Sequence, residues 1–146
     1  KSGKIKIQDY LKFSSSLKTA QEIFAFGYPL QGELSKEIKV TQGIVSSLAG
    51  MKNDKSRIQI TAALQPGNSG GPVVDNRGDI VGASVAALRG DLLQDINFAI
   101  KKDFIIEYLS QKNIDFEVSA PSDPKENTEI VELVERSVFP IICAND

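Results

Sequence analysis

The sequence predicts an all-β fold, either a sandwich or a barrel, followed by one helix and an extended tail. Between residues 5 and 100, short apolar segments alternate with glycine and turn residues, which is typical of short strands joined by tight turns. After residue 101 the apolar residues recur at helical spacing instead. The length of 146 residues, with 41% hydrophobic and 25% charged residues, suits one globular domain with its own core.

The first half of the chain contains three predicted strands. Residues 22–27 form a continuous apolar run that ends at Gly27, so we expect a strand buried on both sides. Residues 37–48 form the second predicted strand, and Gly43 in its middle indicates a bulge where the apolar phase shifts. Residues 57–63 alternate between apolar and polar side chains, as a half-buried strand does.

A hairpin and a further strand complete the predicted sheet. Residues 72–75 and 80–88 flank the sequence Asn-Arg-Gly-Asp at 76–79, a glycine-containing hairpin turn. Residues 95–100 are a further short strand.

The segment 102–111 predicts an amphipathic helix that ends at Asn113 as its C-cap. Its predicted apolar stripe consists of Phe104, Ile105, Tyr108 and Leu109. We therefore expect residues 1–117 to hold the barrel and this helix.

The remaining residues predict a linker and a tail. Residues 118–127 contain two prolines and several charged residues, as an extended linker does. In the tail, residues 128–146, Thr128 is a candidate N-cap for a short helix. Residues 138–143 then predict a strand that Pro140 confines to a sheet edge. The apolar stripe predicted for the tail helix is Ile130, Leu133 and Val134.

The composition excludes several classes of function. The net charge of −2 provides no basic field for nucleic acid or an anionic membrane, and no apolar run approaches the roughly 20 residues of a membrane span. The chain has no histidine and only one cysteine, Cys143, so it can form no intrachain disulfide and no histidine- or cysteine-based metal site. Because the only methionine is Met51, we expect the chain to be a piece of a longer or processed protein.

The segment Gly67-Asn68-Ser69-Gly70-Gly71-Pro72 carries the candidate chemistry. Its glycines permit backbone angles that a side chain forbids, and they allow a substrate backbone to approach. Such a loop can direct successive N–H groups into one small space, which stabilises a developing oxyanion beside the serine hydroxyl. From spacing alone, a glycine-rich β-turn with an exposed serine is an equally good interpretation.

This hexapeptide resembles the nucleophile motif of trypsin-like serine proteases, in particular of their Deg/HtrA-type branch. The resemblance covers residues 10–112. It includes FAFGYPL at 24–30, VTQGIVSSL at 40–48, the long run from ITAALQPGNSGGP to SVAAL at 60–88, and INFAIKKDFIIEYL at 96–109. It implies the C-terminal Greek-key barrel of a two-barrel serine endopeptidase.

The resemblance also implies roles for particular residues. Ser69 would be the nucleophile, and the backbone N–H groups of Gly67 and Ser69 would form the oxyanion hole. Ala63 would form the floor of the first specificity pocket, which favours small or medium apolar P1 residues over Lys or Arg. The implied substrate-binding residues are Ala63, Val85, Ala86, Ala87 and Asn97; the middle three would pair with an extended polypeptide substrate as an added strand.

The resemblance implies that the general base, a histidine, and its orienting aspartate come from an N-terminal barrel, which we expect to lie outside these residues because they include no histidine. Without a base Ser69 is a weak nucleophile, so we expect the isolated chain to be inactive. Three interpretations remain: the C-terminal half of an active protease, a pseudoprotease that binds peptides, or a structural interaction domain. A barrel without its partner would expose an apolar interface, so self-association is also expected.

The resemblance implies a catalytic mechanism that uses protein groups alone, so no metal or other cofactor is predicted. It also implies a periplasmic or secreted location, since Deg-type proteases are commonly exported.

Overall fold

The structure, a computed structural model, describes residues 10–28, 37–90 and 93–141. It contains six strands: β1 (Glu22–Gly27), β2 (Lys39–Ser47), β3 (Arg57–Ile60), β4 (Pro72–Asp75), β5 (Ile80–Gly90) and β6 (Leu93–Lys101). Two helices follow, α1 (Lys102–Gln111) and α2 (Asn127–Glu135), and a 3₁₀ turn at Met51–Asn53 precedes β3.

The six strands form a closed antiparallel barrel in the order β1-β2-β3-β6-β5-β4. The first three strands follow one another around the wall, whereas β4 returns to pair with β1 and β6 closes the barrel against β3. A strand that returns beside the first of three consecutive strands is a Greek-key arrangement. The prediction of an all-β barrel that ends in a helix is therefore confirmed.

Strand β1 lies between two apolar layers, as the continuous apolar run predicted. Ile23 and Ala25 point into the barrel interior, which is filled by one buried cluster. Phe24 and Phe26 point outward and are also buried, because they pack with Val74 against α2. The interior cluster consists of Ile23, Ala25, Val45, Ile58, Ile60, Ala62, Leu64, Val73, Val81 and Ala99.

The tail helix covers the outer face of β1 and β4. Ile130 and Val134, at helical spacing, are fully buried there, as the predicted stripe requires. The segment before α2 is hydrogen-bonded to two other parts of the chain. Ser119 N–H donates to the carbonyl of Phe13, which lies before β1, and Lys125 N–H donates to that of Asn76 in the hairpin turn, each at 2.8 Å. Residues 138–141 form no strand, contrary to the prediction, and 142–143 lie outside the described residues.

Helix α1 has the predicted bounds, but its predicted apolar stripe is only half right. Phe104 is 43% exposed and Tyr108 58% exposed, whereas Ile105 and Leu109 are partly buried. The cap also lies one residue earlier than predicted, at Lys112, and Asn113 follows it with a left-handed φ of 53°. Within the described residues, no helix is long and apolar enough to cross a membrane.

The bulge predicted at Gly43 lies elsewhere. The register between β2 and β3 shifts between Val45 and Ser47. Gly43 is needed for close approach instead, because a Cβ there would lie 2.3 Å from the backbone nitrogen of Ala62.

The hairpin turn between β4 and β5 forms as predicted and is fixed by a buried carboxylate. Asp75 is fully buried, and its Oδ2 accepts hydrogen bonds from Ser14 Oγ at 2.6 Å and from the Arg77 guanidinium at 2.9 Å. Its Oδ1 accepts from the backbone N–H groups of Arg77 and Asp79. A buried charge is tolerated only when it is paired and hydrogen-bonded in this way.

Candidate active site

The candidate site is built on residues 65–71, here called the site loop, which folds as two successive tight turns. In the first turn, Asn68 N–H donates to the Gln65 carbonyl at 3.0 Å, with Pro66 second and Gly67 third at φ 97°. Proline second and a positive-φ glycine third is the pattern of a type II turn.

The second turn follows without a break. Gly71 N–H donates to the Asn68 carbonyl at 2.9 Å, and Gly70 is third with φ 83°. Ser69 occupies the second position of this turn and is exposed. The glycines therefore make the bend that presents the Ser69 side chain.

Tight packing holds the site loop against β1. A Cβ on Gly71 would lie 2.0 Å from the Phe26 carbonyl oxygen, so the loop backbone touches that strand directly. Asn68 is buried beside Gly27, whose missing Cβ would lie 2.7 Å from the Asn68 Cα. Each of these contacts depends on a glycine.

Ser84 of β5 ties the site loop from the other side, and sequence reasoning missed it. This buried residue donates from its N–H to the Gly71 carbonyl at 2.9 Å and accepts from Gly70 N–H at 2.7 Å. Its hydroxyl lies 2.6 Å from the Asn68 carbonyl oxygen. The available signal was a serine in the otherwise apolar segment 80–88, immediately before the predicted substrate-binding run.

The backbone amides of the site loop divide into two sets. The N–H groups of Asn68, Gly70 and Gly71 donate to protein carbonyls. Among the described residues, the N–H groups of Gly67 and Ser69 have no acceptor. These are the two amides that sequence analysis assigned to an oxyanion hole.

The Ser69 hydroxyl contacts another predicted site residue. Its Oγ donates to the carbonyl oxygen of Val85 at 2.9 Å. Val85 lies at a register shift in β5, because Ser84 pairs with Ala99 of β6 and Ala86 pairs with Phe98. The extra residue is a β-bulge, which re-aims the backbone locally.

Strand β5 extends beyond its neighbour β4. Strand β4 pairs with β5 only from Ile80 to Ala83, whereas β6 pairs with β5 as far as Gly90. Among the described strands, none pairs with Ala86 and Ala87 on the side opposite β6. This part of β5 is an unpaired edge, to which an extended chain can add as a further strand.

Asn97 and Ala63 lie on the neighbouring strands. Asn97 is buried in β6, where it pairs with Ala87 on one side and with Ile60 on the other. Ala63 follows β3 and is exposed; its carbonyl accepts a hydrogen bond from Thr41 Oγ1 at 2.8 Å. The structure thus joins Ser69 to Val85 and Asn97 to Ala87, whereas Ala63 is hydrogen-bonded to Thr41 of β2.

Two cavities are described near these elements. One, of about 410 Å³, is lined by Gly70 of the site loop, by Pro72 of β4 and by Val138 and Phe139 of the tail, among others. The other, of about 320 Å³, lies at the hairpin turn beside Asp79. Neither is lined by Ser69, Ala63 or Asn97.

The carboxyl group of Asp79 has a perturbed pKa. Burial raises this pKa above its ordinary value, and the adjacent Asp75 carboxylate adds to that effect. Ser119 Oγ donates to Asp79 Oδ1 at 2.6 Å, and this bond opposes the rise. Because the group is joined to the tail rather than to the site loop, it bears on stability and not on the chemistry at Ser69.

Residues 6–82 match the family described as the trypsin-like peptidase domain. The chain is 35% identical over 108 residues to the uncharacterized protein y4bJ of Sinorhizobium fredii, covering 68% of this chain and 17% of that protein. It is 40% identical over 95 residues to the serine protease Do-like HtrA of Bacillus subtilis, covering 60% and 21%. The chain therefore spans about a fifth of the length of these relatives.

Solved structures are also similar. The HtrA-type protease AlgW with a decapeptide superposes with a TM-score of 0.56 at 30% identity, covering 70% of this chain and 32% of that one. The MamO protease domain from Magnetospirillum magneticum superposes with a TM-score of 0.52 at 25% identity, covering 67% and 51%.

Proposed function

Because the chain belongs to the family of trypsin-like peptidase domains and has HtrA-type serine proteases among its relatives, we propose that it is the nucleophile-bearing barrel of a serine endopeptidase. The observation that carries this proposal is the geometry of the site loop. An exposed serine lies at the bend, between glycines, with two amides that have no acceptor among the described residues.

In the proposed reaction, Ser69 Oγ attacks the carbonyl carbon of the scissile peptide bond as a base removes its proton. The substrate oxygen becomes negative and accepts hydrogen bonds from the N–H groups of Gly67 and Ser69. The tetrahedral intermediate then expels the amine, which takes a proton, and leaves an acyl group on Ser69 that water hydrolyses.

The base is not in this chain, which contains no histidine. We therefore assign the histidine and its orienting aspartate to an N-terminal barrel that acts together with the chain. In a serine protease of another fold that uses the same catalytic triad, losing the histidine lowers kcat by about 10⁶-fold, so the isolated chain is expected to be inactive.

The proposed substrate is a polypeptide that adds to the open edge of β5 at Val85, Ala86 and Ala87. The similar protease AlgW has been solved with a decapeptide, which supports this class of ligand. Ala63 offers no charge to a P1 side chain, and Asn97 is the polar residue assigned to the pocket wall. We expect small or medium apolar P1 residues, and a marked preference for Arg in a peptide library would contradict that assignment.

Labelling with a fluorophosphonate, which reacts with activated serines, tests the proposal. The sample is the natural polypeptide that contains these residues together with a histidine-bearing barrel. Labelling is expected in the unmodified protein and absent from Ser69→Ala. It should be retained in the control Ser110→Ala, which removes an exposed hydroxyl on α1. Labelling that persists in a folded Ser69→Ala variant would contradict the assignment.

A pseudoprotease that binds peptides without cleaving them is the second candidate. It is favoured by one contact: the Ser69 hydroxyl is engaged by the Val85 carbonyl in this structure. Two observations distinguish the two functions. A DNA sequence upstream of the Lys1 codon that encodes a histidine followed by an aspartate-bearing strand supports the protease. A folded natural protein that fluorophosphonate does not label supports the pseudoprotease.

Two further assignments accompany the proposal. The location would be periplasmic or secreted, as the resemblance to Deg-type proteases implies, and fractionation of the source cells tests this. Self-association of the isolated chain is supported by exposed apolar side chains on β2 and in the segment that follows it, namely Val40, Ile44, Leu48 and Met51. Sedimentation at several concentrations tests it.

A further inference from the structure

The hydrogen bond between Ser69 and Val85 joins the nucleophile to the strand edge that would receive the substrate. Ser69 Oγ and the Val85 carbonyl oxygen are 2.9 Å apart, and the serine is exposed. The bond therefore lies where an incoming chain can reach it.

The bulge explains why this carbonyl is available. Successive carbonyls of a regular strand point to opposite sides, and the Ser84 carbonyl already points to the site loop, where it accepts from Gly70. Without the bulge, the next carbonyl would point towards β6. The register shift at Val85 leaves it unpaired with β6 and allows its carbonyl to reach Ser69.

We propose that this contact, the Ser69–Val85 latch, holds the nucleophile until a substrate strand opens it. A peptide that adds to β5 beyond Ser84 needs carbonyl acceptors for its own backbone N–H groups. The Val85 carbonyl is the first such acceptor beside the nucleophile. When a peptide N–H takes it, the Ser69 proton is released towards the base.

The latch rests on the proposed function and adds to it a coupling between peptide binding and release of the Ser69 hydroxyl. In the free protein, the proton that the base must remove is directed at Val85 instead. Binding of an extended peptide and release of the hydroxyl are one event, so Ser69 is freed where a scissile bond is present.

The latch has a consequence that ordinary substrate contacts lack. If the hydroxyl competes with the peptide for the Val85 carbonyl, removing it should strengthen peptide binding. An ordinary hydrogen bond has a net worth that corresponds to about a two- to tenfold change in affinity. We expect Ser69→Ala to bind an extended peptide more tightly by such a factor.

The experiment uses the full 146-residue chain, labelled with ¹³C and ¹⁵N, and the probe N-acetyl-tetra-alanine amide. The first measurement is the ¹³C shift of the Val85 carbonyl in the unmodified chain, in Ser69→Ala and in the control Ser110→Ala. The second is the dissociation constant of the probe for each of the three, from the shifts of the β5 amides.

The expected result is a Val85 carbonyl shift that moves in Ser69→Ala alone, together with tighter binding of the probe by that variant. An unchanged carbonyl shift would show that the latch is absent in solution and would overturn the proposal. A changed shift with equal or weaker binding would overturn the competition, as would a probe that binds none of the three. These outcomes are independent of fluorophosphonate labelling, which reports whether Ser69 is a nucleophile.

Discussion

Gly71 provides a sharp test of how the site loop is held. Its Cα faces the Phe26 carbonyl, and an added Cβ would lie 2.0 Å from that oxygen, where real Cβ contacts are essentially never below 3.0 Å. Gly71→Ala therefore requires the loop or β1 to move by about 1 Å. Because both are backbone segments that cannot move independently of the barrel, Gly71→Ala should lower the free energy of unfolding by at least about 1–3 kcal/mol, the range typical of overpacked cores.

The adjacent glycine is the matched control. Gly70 has a positive φ of 83°, but nothing lies within 4 Å of its added Cβ. Asparagine tolerates this backbone conformation, so Gly70→Asn should cost less than about 1 kcal/mol. Urea unfolding of the two variants and the unmodified chain measures the difference in free energy of unfolding. In thermal unfolding, Tm is expected to fall by about 2–4 °C for each kcal/mol. Equal stability of Gly71→Ala and the unmodified chain, or a larger loss in Gly70→Asn, would refute the packing argument.

Three further predictions concern the tail and the hairpin turn. Ile130→Ala should lower the free energy of unfolding by about 2–5 kcal/mol, because the Ile130 side chain is fully buried against β1. The control Ile141→Ala, at a site 90% exposed, should change it by less than about 0.5 kcal/mol. Equal effects of the two variants in urea unfolding would contradict the docked tail. Arg77→Ala should cost about 3 kcal/mol, the low end for breaking a buried pair, since other donors still bond the fully buried Asp75; unchanged stability would contradict this role. The raised pKa of Asp79 means that its contribution to stability is fully present below its ordinary pKa and is lost as pH rises through the raised value. Asp79→Asn should therefore gain stability relative to the unmodified chain as pH increases from 3 to 7, to be checked by thermal unfolding at each pH, and a gain that shrinks with pH would contradict this sign.

Much of the barrel could be predicted because strand periodicity and turn residues are local signals. The double-sided burial of β1 was visible in EIFAFG, and the hairpin was visible in Asn-Arg-Gly-Asp at 76–79. What covers the outer face of β1 was not visible, because an apolar run shows that a side is covered without showing by which element. The docking of Ile130 and Val134 on that face depends on the tertiary path of the tail.

The errors have a related cause. The position of the bulge in β2 depends on its register with β3, and Gly43 carries only the information that two backbones approach closely. The exposed positions of Phe104 and Tyr108 depend on how α1 sits against β5 and β6. Apolar residues at helical spacing identify the apolar face of a helix, but they do not show which residues of that face pack against the barrel.

A short sequence motif was enough to indicate the candidate site, but not the residues that hold the site loop in place. Glycines around Ser69 indicated a tight bend, which the two turns of the site loop provide. The roles of Ser84 and of the bulge at Val85 required the pairing of β5 with β6, which lies far along the chain. The roles of Ser69 and Gly67 in catalysis stay predictions. So do the substrate-binding roles of Ala63, Val85, Ala86, Ala87 and Asn97.

A crystal structure of the fluorophosphonate-treated natural protein tests the central claim most directly. We expect phosphorus bonded to the Oγ at position 69, with one phosphoryl oxygen about 2.7–3.1 Å from both unused loop amides, at 67 and 69. An adduct on another side chain, or an oxygen turned away from these two N–H groups, would contradict the assignment of nucleophile and oxyanion hole.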